Sequence, residues 1–322
     1  MAHSGPECDP GNLARAGAEA LKPKTILAVA VMPLICATLA LAAPRGEIAV
    51  VCDLNVAPYR AFVEGFRKAS TLPVRVIPCA EAARPGFEEW LRREGVRGVA
   101  AVGLQPCAAV DGLRELPVLR AMAPRVEPWV AAQPNRLGIE MMPSPRQHLE
   151  TIRRVFPRAR RVGVVFDPVQ TGGYVREATL TAGLGLTLVT REATHPPDLS
   201  RRLEELRGQV DVIWLLPDTT VLHGENLDLL LLTSFESHIP LYGFARKYVE
   251  LGAIAAVYFD PEAMGAQAAG MLATALDRAP EPAAARWQYA TGVRLVVNQK
   301  VARKMGLEID PALLQEADDV LR

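Results

Sequence analysis

The chain has 322 residues, of which half are hydrophobic and 22% are charged. This composition excludes a wholly disordered chain, and the length is sufficient for two domains of ordinary size. Lysine plus arginine and aspartate plus glutamate each number 36, so the net charge is zero. A neutral chain has no general attraction to nucleic acid or to an anionic membrane, and we expect no nucleic-acid partner.

The N-terminal region has the pattern of a secretory signal. Residues 26–43 form an uninterrupted apolar run of 18, two lysines precede it, and Ala40 and Ala42 supply the small residues that a signal peptidase needs. This pattern predicts a signal peptide over 1–42 and a mature, periplasmic protein that begins near Ala43. An uncleaved membrane anchor is the alternative, because 18 apolar residues can just span a bilayer.

The first part of the mature chain alternates predicted strands and helices. Apolar runs predict strands over 47–53, 74–79, 96–103 and 117–123. Apolar residues at helical spacing predict helices over 58–70, 87–95 and 107–116. Residues 124–145 contain five prolines, which predicts a loop that approaches a crossing between domains.

A second alternating series follows the proline-rich stretch. The same patterns predict strands over 160–167, 185–193, 210–218, 239–244, 252–260 and 293–298. Helices are predicted over 146–156, 199–209, 226–238 and 261–277, with a short helical tail at the end. Two such series predict two α/β domains with mostly parallel sheets, and ligands bind such sheets outside the carboxyl ends of the strands.

The common catalytic and metal-binding motifs are missing. The sequence has no CxxC pair, no HExxH, no GxSxG, no phosphate-binding GxxxxGK[ST] loop and no GxGxxG. We therefore predict no cofactor, no metal and no catalytic residue. An extracytoplasmic enzyme that uses Asp167, Asp218 and Asp260 as acid or base groups is an alternative.

Polar and aromatic residues that follow the predicted strands are the candidate ligand-binding groups. They are Asn55, Tyr59, Gly103, Gln105, Asp167, Thr171, Tyr174, Asp218, Thr219, Thr220, Phe244 and Asp260. Asp218 has the charge to hold a ligand ammonium group, and the hydroxyls of Thr219 and Thr220 can donate to a ligand carboxylate. The alternative for Asp218 is that it only caps the helix that follows.

Several other candidates also have a structural alternative. Tyr59 is expected to pack in the core rather than to touch ligand, and Gly103 is either a close-approach position or an ordinary turn. The segment 170–174 is interpreted as a flexible polar loop at the cleft. Phe244 offers an aromatic wall, whereas Asp260 equally suits a cap for the helix that begins at Pro261.

Four blocks of the second half resemble a known family. They are RRVGVVFDP (160–168), VDVIWLLPDTTVL (210–222), the long block that begins IPLYGFARKYVELGAIAAVYFD at Ile239 and ends at Met271, and RLVVNQKVARKMGLEIDPALLQEADDVL (294–321). Together they resemble the substrate-binding proteins of ABC transporters of the aromatic-amino-acid type, and the likeness covers about 160–322. In the first half, PYRAFVEGFRKAS and VAAVGLQPCAAV resemble the first helix and the third strand of that family.

The resemblance implies a type I periplasmic-binding fold, with two Rossmann-like lobes around a central cleft. The N-terminal lobe would hold 43–140 plus about 258–298, and the C-terminal lobe 141–257 plus about 299–322. Its implied function is extracytoplasmic binding of an amino acid or related compound, by a monomer that serves an ABC permease in the inner membrane. A binding module for a sensor or an outer-membrane system is the alternative.

Three cysteines of the mature chain, Cys52, Cys79 and Cys107, lie at or just beyond the ends of the first three predicted strands. The resembled fold orders these strands two-one-three, which places Cys52 between the others. We therefore hypothesise a disulfide from Cys52 to Cys79 or Cys107. The alternative is three buried thiols.

Overall fold

The computed structural model describes residues 46–123, 133–181, 185–278, 282 and 286–322. The predicted signal peptide at 1–42 lies outside these residues, as does the part of the proline-rich stretch at 124–132. Among the described residues, no helix combines the length and the hydrophobicity that crossing a bilayer requires.

The first sheet has six strands in the order β11-β5-β4-β3-β1-β2, all of them parallel. These are β1 (Glu47–Val51), β2 (Val74–Ile77), β3 (Val96–Val102), β4 (Val118–Ala121), β5 (Arg136–Glu140) and β11 (Trp287–Tyr289). The buried strand β3 is almost wholly apolar, as expected for a parallel strand that is covered on both faces. This order confirms the predicted two-one-three arrangement of the first strands.

Helices cover both faces of the first sheet. They are α1 (Ala57–Ala69), α2 (Cys79–Ala82), α3 (Phe87–Arg93), α4 (Leu104–Ala109) and α10 (Pro261–Asp277). Phe62 and Phe66 of α1 and Met264 of α10 share one core layer with Val50 of β1. We call this sheet with these helices the first lobe.

The second sheet has seven strands in the order β13-β12-β10-β9-β8-β6-β7. These are β6 (Arg161–Phe166), β7 (Thr187–Glu192), β8 (Val212–Trp214), β9 (Leu241–Gly243), β10 (Ala255–Phe259), β12 (Val293–Asn298) and β13 (Asp319–Leu321). Its strands pair in parallel except β12, which is antiparallel to β10.

The second sheet also lies between two layers of helices, and together they form the second lobe. The helices are α5 (Pro145–Val155), α6 (Gly172–Thr181), α7 (Asp198–Leu206), α8 (Asn226–Ser237), α9 (Arg246–Leu251), α11 (Gln299–Lys304) and α12 (Pro311–Glu316). The start of α5 is fixed by a capping box, in which Ser144 and Gln147 satisfy each other's backbone N–H groups, with Pro145 in the first turn.

The chain passes between the two sheets three times. It leaves β5 for α5, leaves β10 for α10, and leaves β11 for β12. β5, β10 and β11 each leave their sheet at a carboxyl end, and the antiparallel β12 begins at the carboxyl edge of the second sheet. The three crossings therefore connect the carboxyl edges of the two sheets.

The structure corrects several sequence-based predictions. Residues 136–140 of the predicted loop form the buried strand β5, and the predicted cleft loop at 170–174 contributes its last residues to helix α6. The returning range of about 258–298 contributes α10 and β11 to the first lobe, but its last strand, β12, pairs in the second sheet. The predicted helical tail ends in a further strand, β13, which pairs with β12.

Candidate functional site

A network of polar side chains joins the ends of β6 and β8 at the second sheet's carboxyl edge. We call it the strand-end network, and it consists of Asp167, Gln170, Thr171, Asp218, Thr219 and Thr220. β6 and β8 are neighbours in the sheet, so residues that follow them meet at one edge. Five of the six members were predicted as site residues, and Gln170 was not.

Asp218 is the centre of the network, and its side chain is almost completely buried. Its Oδ2 accepts hydrogen bonds from the Asp167 backbone N–H at 2.7 Å and from the Thr171 hydroxyl at 2.8 Å. Its Oδ1 accepts from the backbone N–H groups of Thr220 and Val221, at 3.0 and 3.1 Å. A carboxylate has about four acceptor positions, so protein donors fill those of Asp218. The structure contradicts the alternative that Asp218 caps the helix that follows, because α8 begins only at Asn226 with Glu225 at its N-cap. Asp218 instead holds the turn that follows β8 and ties it to the end of β6.

Asp167 is held in a similar way. It accepts from the Thr220 hydroxyl at 2.7 Å, from the Val169 backbone N–H at 2.8 Å and from Gln170 Nε2 at 3.3 Å. The hydrogen bond from Thr220, followed by that from Val169, lowers the pKa of Asp167 below its usual value. The network therefore stabilises the ionised form of this carboxylate.

At the first sheet's carboxyl edge, Tyr59 and Gly103 are in direct contact. A Cβ atom on Gly103 would lie 2.4 Å from the Tyr59 hydroxyl oxygen, and the φ angle of Gly103 is +100°. Only glycine suits this position, because a side chain would be strained and would collide with the tyrosine. Tyr59 is half-buried and packs on the core, as predicted, while Asn55 and Gln105 beside it are exposed.

The remaining predicted residues have structural partners. Tyr174 donates its hydroxyl to the Pro143 carbonyl at 2.8 Å, and the half-buried Phe244 ring packs on Tyr248. Asp260 caps α10 by accepting from the Glu262 N–H at 2.9 Å. Burial alone would raise the pKa of Asp260, but its hydrogen bonds with Arg294 and with that N–H outweigh burial and lower it.

Side chains tie the second and third crossings together. Gln267 of α10 donates Nε2 to the Tyr289 carbonyl at 2.9 Å, and its Oε1 accepts from the Thr291 N–H at 3.0 Å. The Tyr289 ring packs edge-on against Tyr174, and its hydroxyl donates to Glu177 of α6. The contacts of Tyr289 link a first-lobe strand to a second-lobe helix beside the three crossings, which we together call the hinge. The sequence analysis identified neither Gln267 nor Tyr289.

The hypothesised disulfide is absent. Cys52, Cys79 and Cys107 are free thiols. Cys52 packs in the core layer with α1 and α10, whereas Cys107 packs in the layer on the opposite face of the sheet and donates to the Ala101 carbonyl. Burial raises the pKa of both Cys52 and Cys107 to about 11, so both remain protonated thiols at neutral pH.

A buried histidine lies in the aromatic cluster beneath the hinge. His148 of α5 is fully buried among the rings of Tyr174, Trp214 and Tyr242, and its Nδ1 lies 3.1 Å from the Tyr242 hydroxyl. Its Nε2 has no hydrogen-bond partner in the described part of the chain. Burial without a compensating charge lowers the pKa of His148 to about 3.

We expect His148 to make the protein sensitive to acid. Below pH 6.5 the unfolded chain binds a proton at this histidine, whereas the native protein stays neutral there until the pH approaches 3. Between pH 7 and pH 4.5 this difference lowers the free energy of unfolding by about 2.5 kcal/mol. In urea titrations at the two pH values, His148→Phe is expected to lose about 2.5 kcal/mol less than the wild type. Equal losses in both proteins would contradict this.

The geometry defines a class: an α/β protein of two lobes that are joined by three crossings at the carboxyl edges of their sheets. The family model described as ABC transporter substrate binding protein matches residues 126–321. The chain therefore belongs to this family, whose members bind small molecules and work with ABC transporter permeases. No curated protein matches the chain in sequence.

Solved structures share the fold. A ligand-free, open substrate-binding protein with adhesive properties from Clostridium difficile has a TM-score of 0.63 at 17% identity. A conserved domain protein from Vibrio cholerae has a TM-score of 0.52 at 23% identity, and an ABC domain in complex with L-Trp from Streptococcus pneumonia has 0.51 at 20%. Each alignment covers 86% of this chain and 99% of the other. The likeness confirms the predicted type I periplasmic-binding fold.

Proposed function

We propose that the chain is the extracytoplasmic substrate-binding component of an ABC importer, and that it binds an amino acid or a related compound. The observation that carries the proposal is the set of three crossings between the carboxyl edges of the two sheets. They leave the strand-end residues of both lobes beside one hinge, where open α/β sheets take their ligands. Family membership supports the transport role.

Ligand binding would close the hinge only if the ligand makes more favourable contacts in the closed form than in the open form. The first lobe would contribute Tyr59, Asn55 and Gln105, with Gly103 allowing close approach to the backbone. The second lobe would contribute the exposed side of the strand-end network, with Phe244 and Tyr174 at its borders. Asp260 would not contact the ligand directly in this proposal and would act as the cap of α10.

Export, partner and assembly follow from the same proposal. Residues 1–42 would direct the chain across the inner membrane and be removed, leaving a monomer that delivers its ligand to an inner-membrane permease. N-terminal sequencing of the protein recovered from the cell envelope would then begin near Ala43. A sequence that begins at Met1 would favour the retained anchor instead.

The test of binding is a thermal-shift screen of the purified protein against the twenty amino acids and their metabolic relatives. A ligand at 100 times its Kd stabilises the native state by about 2.7 kcal/mol and raises Tm. Small-angle X-ray scattering of the same complex is expected to show a smaller radius of gyration, because the lobes close. A panel in which no compound raises Tm and none compacts the protein would contradict the proposed function.

A further inference from the structure

The backbones of the second and third crossings are paired with each other. The first crossing spans residues 141–144, the second consists of Asp260 alone, and the third spans residues 290–292. The Asp260 N–H donates to the Gly292 carbonyl at 3.0 Å, and Arg294 Nε donates to the Asp260 carboxylate, also at 3.0 Å. The second and third crossings are therefore joined at this point and do not turn independently.

Gln267 of α10 holds the third crossing a second time. Its Nε2 donates to the Tyr289 carbonyl at 2.9 Å, and its Oε1 accepts from the Thr291 N–H at 3.0 Å and from the Thr291 hydroxyl at 3.2 Å. One amide therefore binds a backbone acceptor just before the crossing and a backbone donor within it. Since α10 begins directly after the second crossing, this amide holds the third crossing against the helix that follows the second.

The first crossing, which is the longest, is connected to the third through α6. Tyr174 donates its hydroxyl to the Pro143 carbonyl at 2.8 Å, and its ring packs edge-on against Tyr289. Glu177, one turn further along α6, accepts from the Tyr289 hydroxyl. Contacts of Tyr289 thus join the first crossing to the part of the hinge that Gln267 holds.

We propose that Gln267 is a positioning residue of the hinge, and that it makes the three crossings bend together so that the lobes move along one path. Each residue of a backbone segment has two soft dihedral angles, so three independent crossings would let the lobes twist as well as open. The amide of Gln267 removes the twisting motion by fixing the third crossing to α10. This inference rests on the proposed binding function for its purpose, because lobes that do not twist lose less conformational entropy when a ligand closes them.

The test measures the distance between the lobes in the protein without ligand. Spin labels are attached through a non-canonical amino acid at Glu89 of α3 and Arg201 of α7, two exposed positions on different lobes. Double electron–electron resonance gives the distribution of the distance between the two labels. We expect this distribution to be about twice as wide in Gln267→Leu as in the protein with Gln267, because the lobes gain the twisting motion. An unchanged width would overturn the inference.

Thr274→Val is the matched control in the same helix. The Thr274 hydroxyl donates to the Gly270 carbonyl at 3.0 Å, so this variant removes a side-chain hydrogen bond that lies within α10. The control is expected to keep the original width of the distribution. A control that broadens the distribution as much as Gln267→Leu does would overturn the role assigned to Gln267.

A second substitution separates positioning from a general loss of structure. Gln267→Asn keeps the amide but is shorter by one methylene, so it cannot reach both backbone groups, and we expect it to broaden the distribution as well. The urea midpoint of both variants should stay near that of the wild type, because water can reach the exposed Thr291 N–H. If Gln267→Leu does not fold, Gln267→Asn decides the inference, and an unchanged width in it would be the contrary result.

The measurement needs no ligand, so its failure is distinguishable from failure of the proposed function. An unchanged width in a protein that binds a compound and compacts would overturn the role of Gln267 and leave the binding function intact. A broadened distribution in a protein that binds no compound would support the coupling of the crossings and contradict the binding function.

Discussion

Replacing Asp218 with alanine is expected to lower the free energy of unfolding by about 4 kcal/mol. The substitution removes the acceptor of three backbone N–H groups and of the Thr171 hydroxyl. Most of these donors are buried, and a buried donor without a partner costs about 1–3 kcal/mol. Urea unfolding followed by circular dichroism measures the change, and a loss below about 1 kcal/mol would contradict the interpretation.

Two further variants distinguish the network from simple loss of a charge. Thr171→Val removes one donor and leaves the acceptor, so its cost is expected to be about 1 kcal/mol. Asp218→Ala alone leaves the Thr171 hydroxyl unpaired, whereas the double variant lacks that hydroxyl. The stability losses of the two single variants should therefore sum to more than the loss of the double variant. Additive losses would mean that Thr171 and Asp218 do not interact in solution.

A second substitution at Asp218 distinguishes a structural role of this residue from a ligand-binding role. If Asp218 held a ligand ammonium group, Asp218→Asn would abolish binding of an amino acid and leave stability nearly unchanged. The buried network predicts a loss of stability instead, because the amide NH₂ group of the asparagine would face N–H donors. The ligand affinity of the protein molecules that remain folded would change little.

The strands that the sequence predicts well are those whose residues are apolar on both faces. β1 and β3 are such strands, and their continuous runs of valine and alanine are visible without any partner. The helix α5 was equally visible, because its apolar spacing is regular. Local patterns of this kind were sufficient for the two-lobed α/β fold.

β5 was missed because its pattern depends on distant residues. Its Arg136 is 2% exposed and donates to the backbone carbonyls of Asp111 and Leu113, so a charged residue is buried in a strand. Its Gly138 lies under the ring of Trp287, where a Cβ would be 2.1 Å from the ring carbons. Arginine, glycine and flanking prolines are typical of a loop, and only the long-range contacts make them a strand.

The site residues also divide into features that local sequence predicts and features that depend on distant contacts. Position after a strand was sufficient to select Asp167, Asp218 and Thr220, because carboxyl ends of parallel strands share an edge. Their full set of partners was not predictable, since two of the four donors to Asp218 come from a segment about 50 residues earlier in the chain. Whether a carboxylate is open to ligand or filled by the protein is decided by such contacts.

The contact between α1 and α10 gives the second large expected effect. The two helices meet at paired glycines: a Cβ on Gly65 would lie 1.8 Å from the Glu262 carbonyl oxygen, and one on Gly265 would lie 2.0 Å from the Phe62 carbonyl oxygen. Both obstacles are backbone atoms, which cannot turn away as a side chain can. Gly265→Ala must therefore push the helices apart and open the core layer that contains Phe62 and Met264.

We expect Gly265→Ala to lower the free energy of unfolding by about 3 kcal/mol, at the upper end of the usual cost of overpacking. The matched control is Gly270→Ala in the same helix, where a new Cβ meets nothing within 4 Å and the position is exposed. That substitution should stabilise the protein by up to about 1 kcal/mol, because alanine loses less conformational entropy in a helix than glycine does. Urea unfolding of the two variants should therefore move in opposite directions. Since α10 lies between the second and third crossings, Gly265→Ala should also weaken ligand binding. A Gly265→Ala protein that is as stable as the wild type would show that the two helices do not pack this closely.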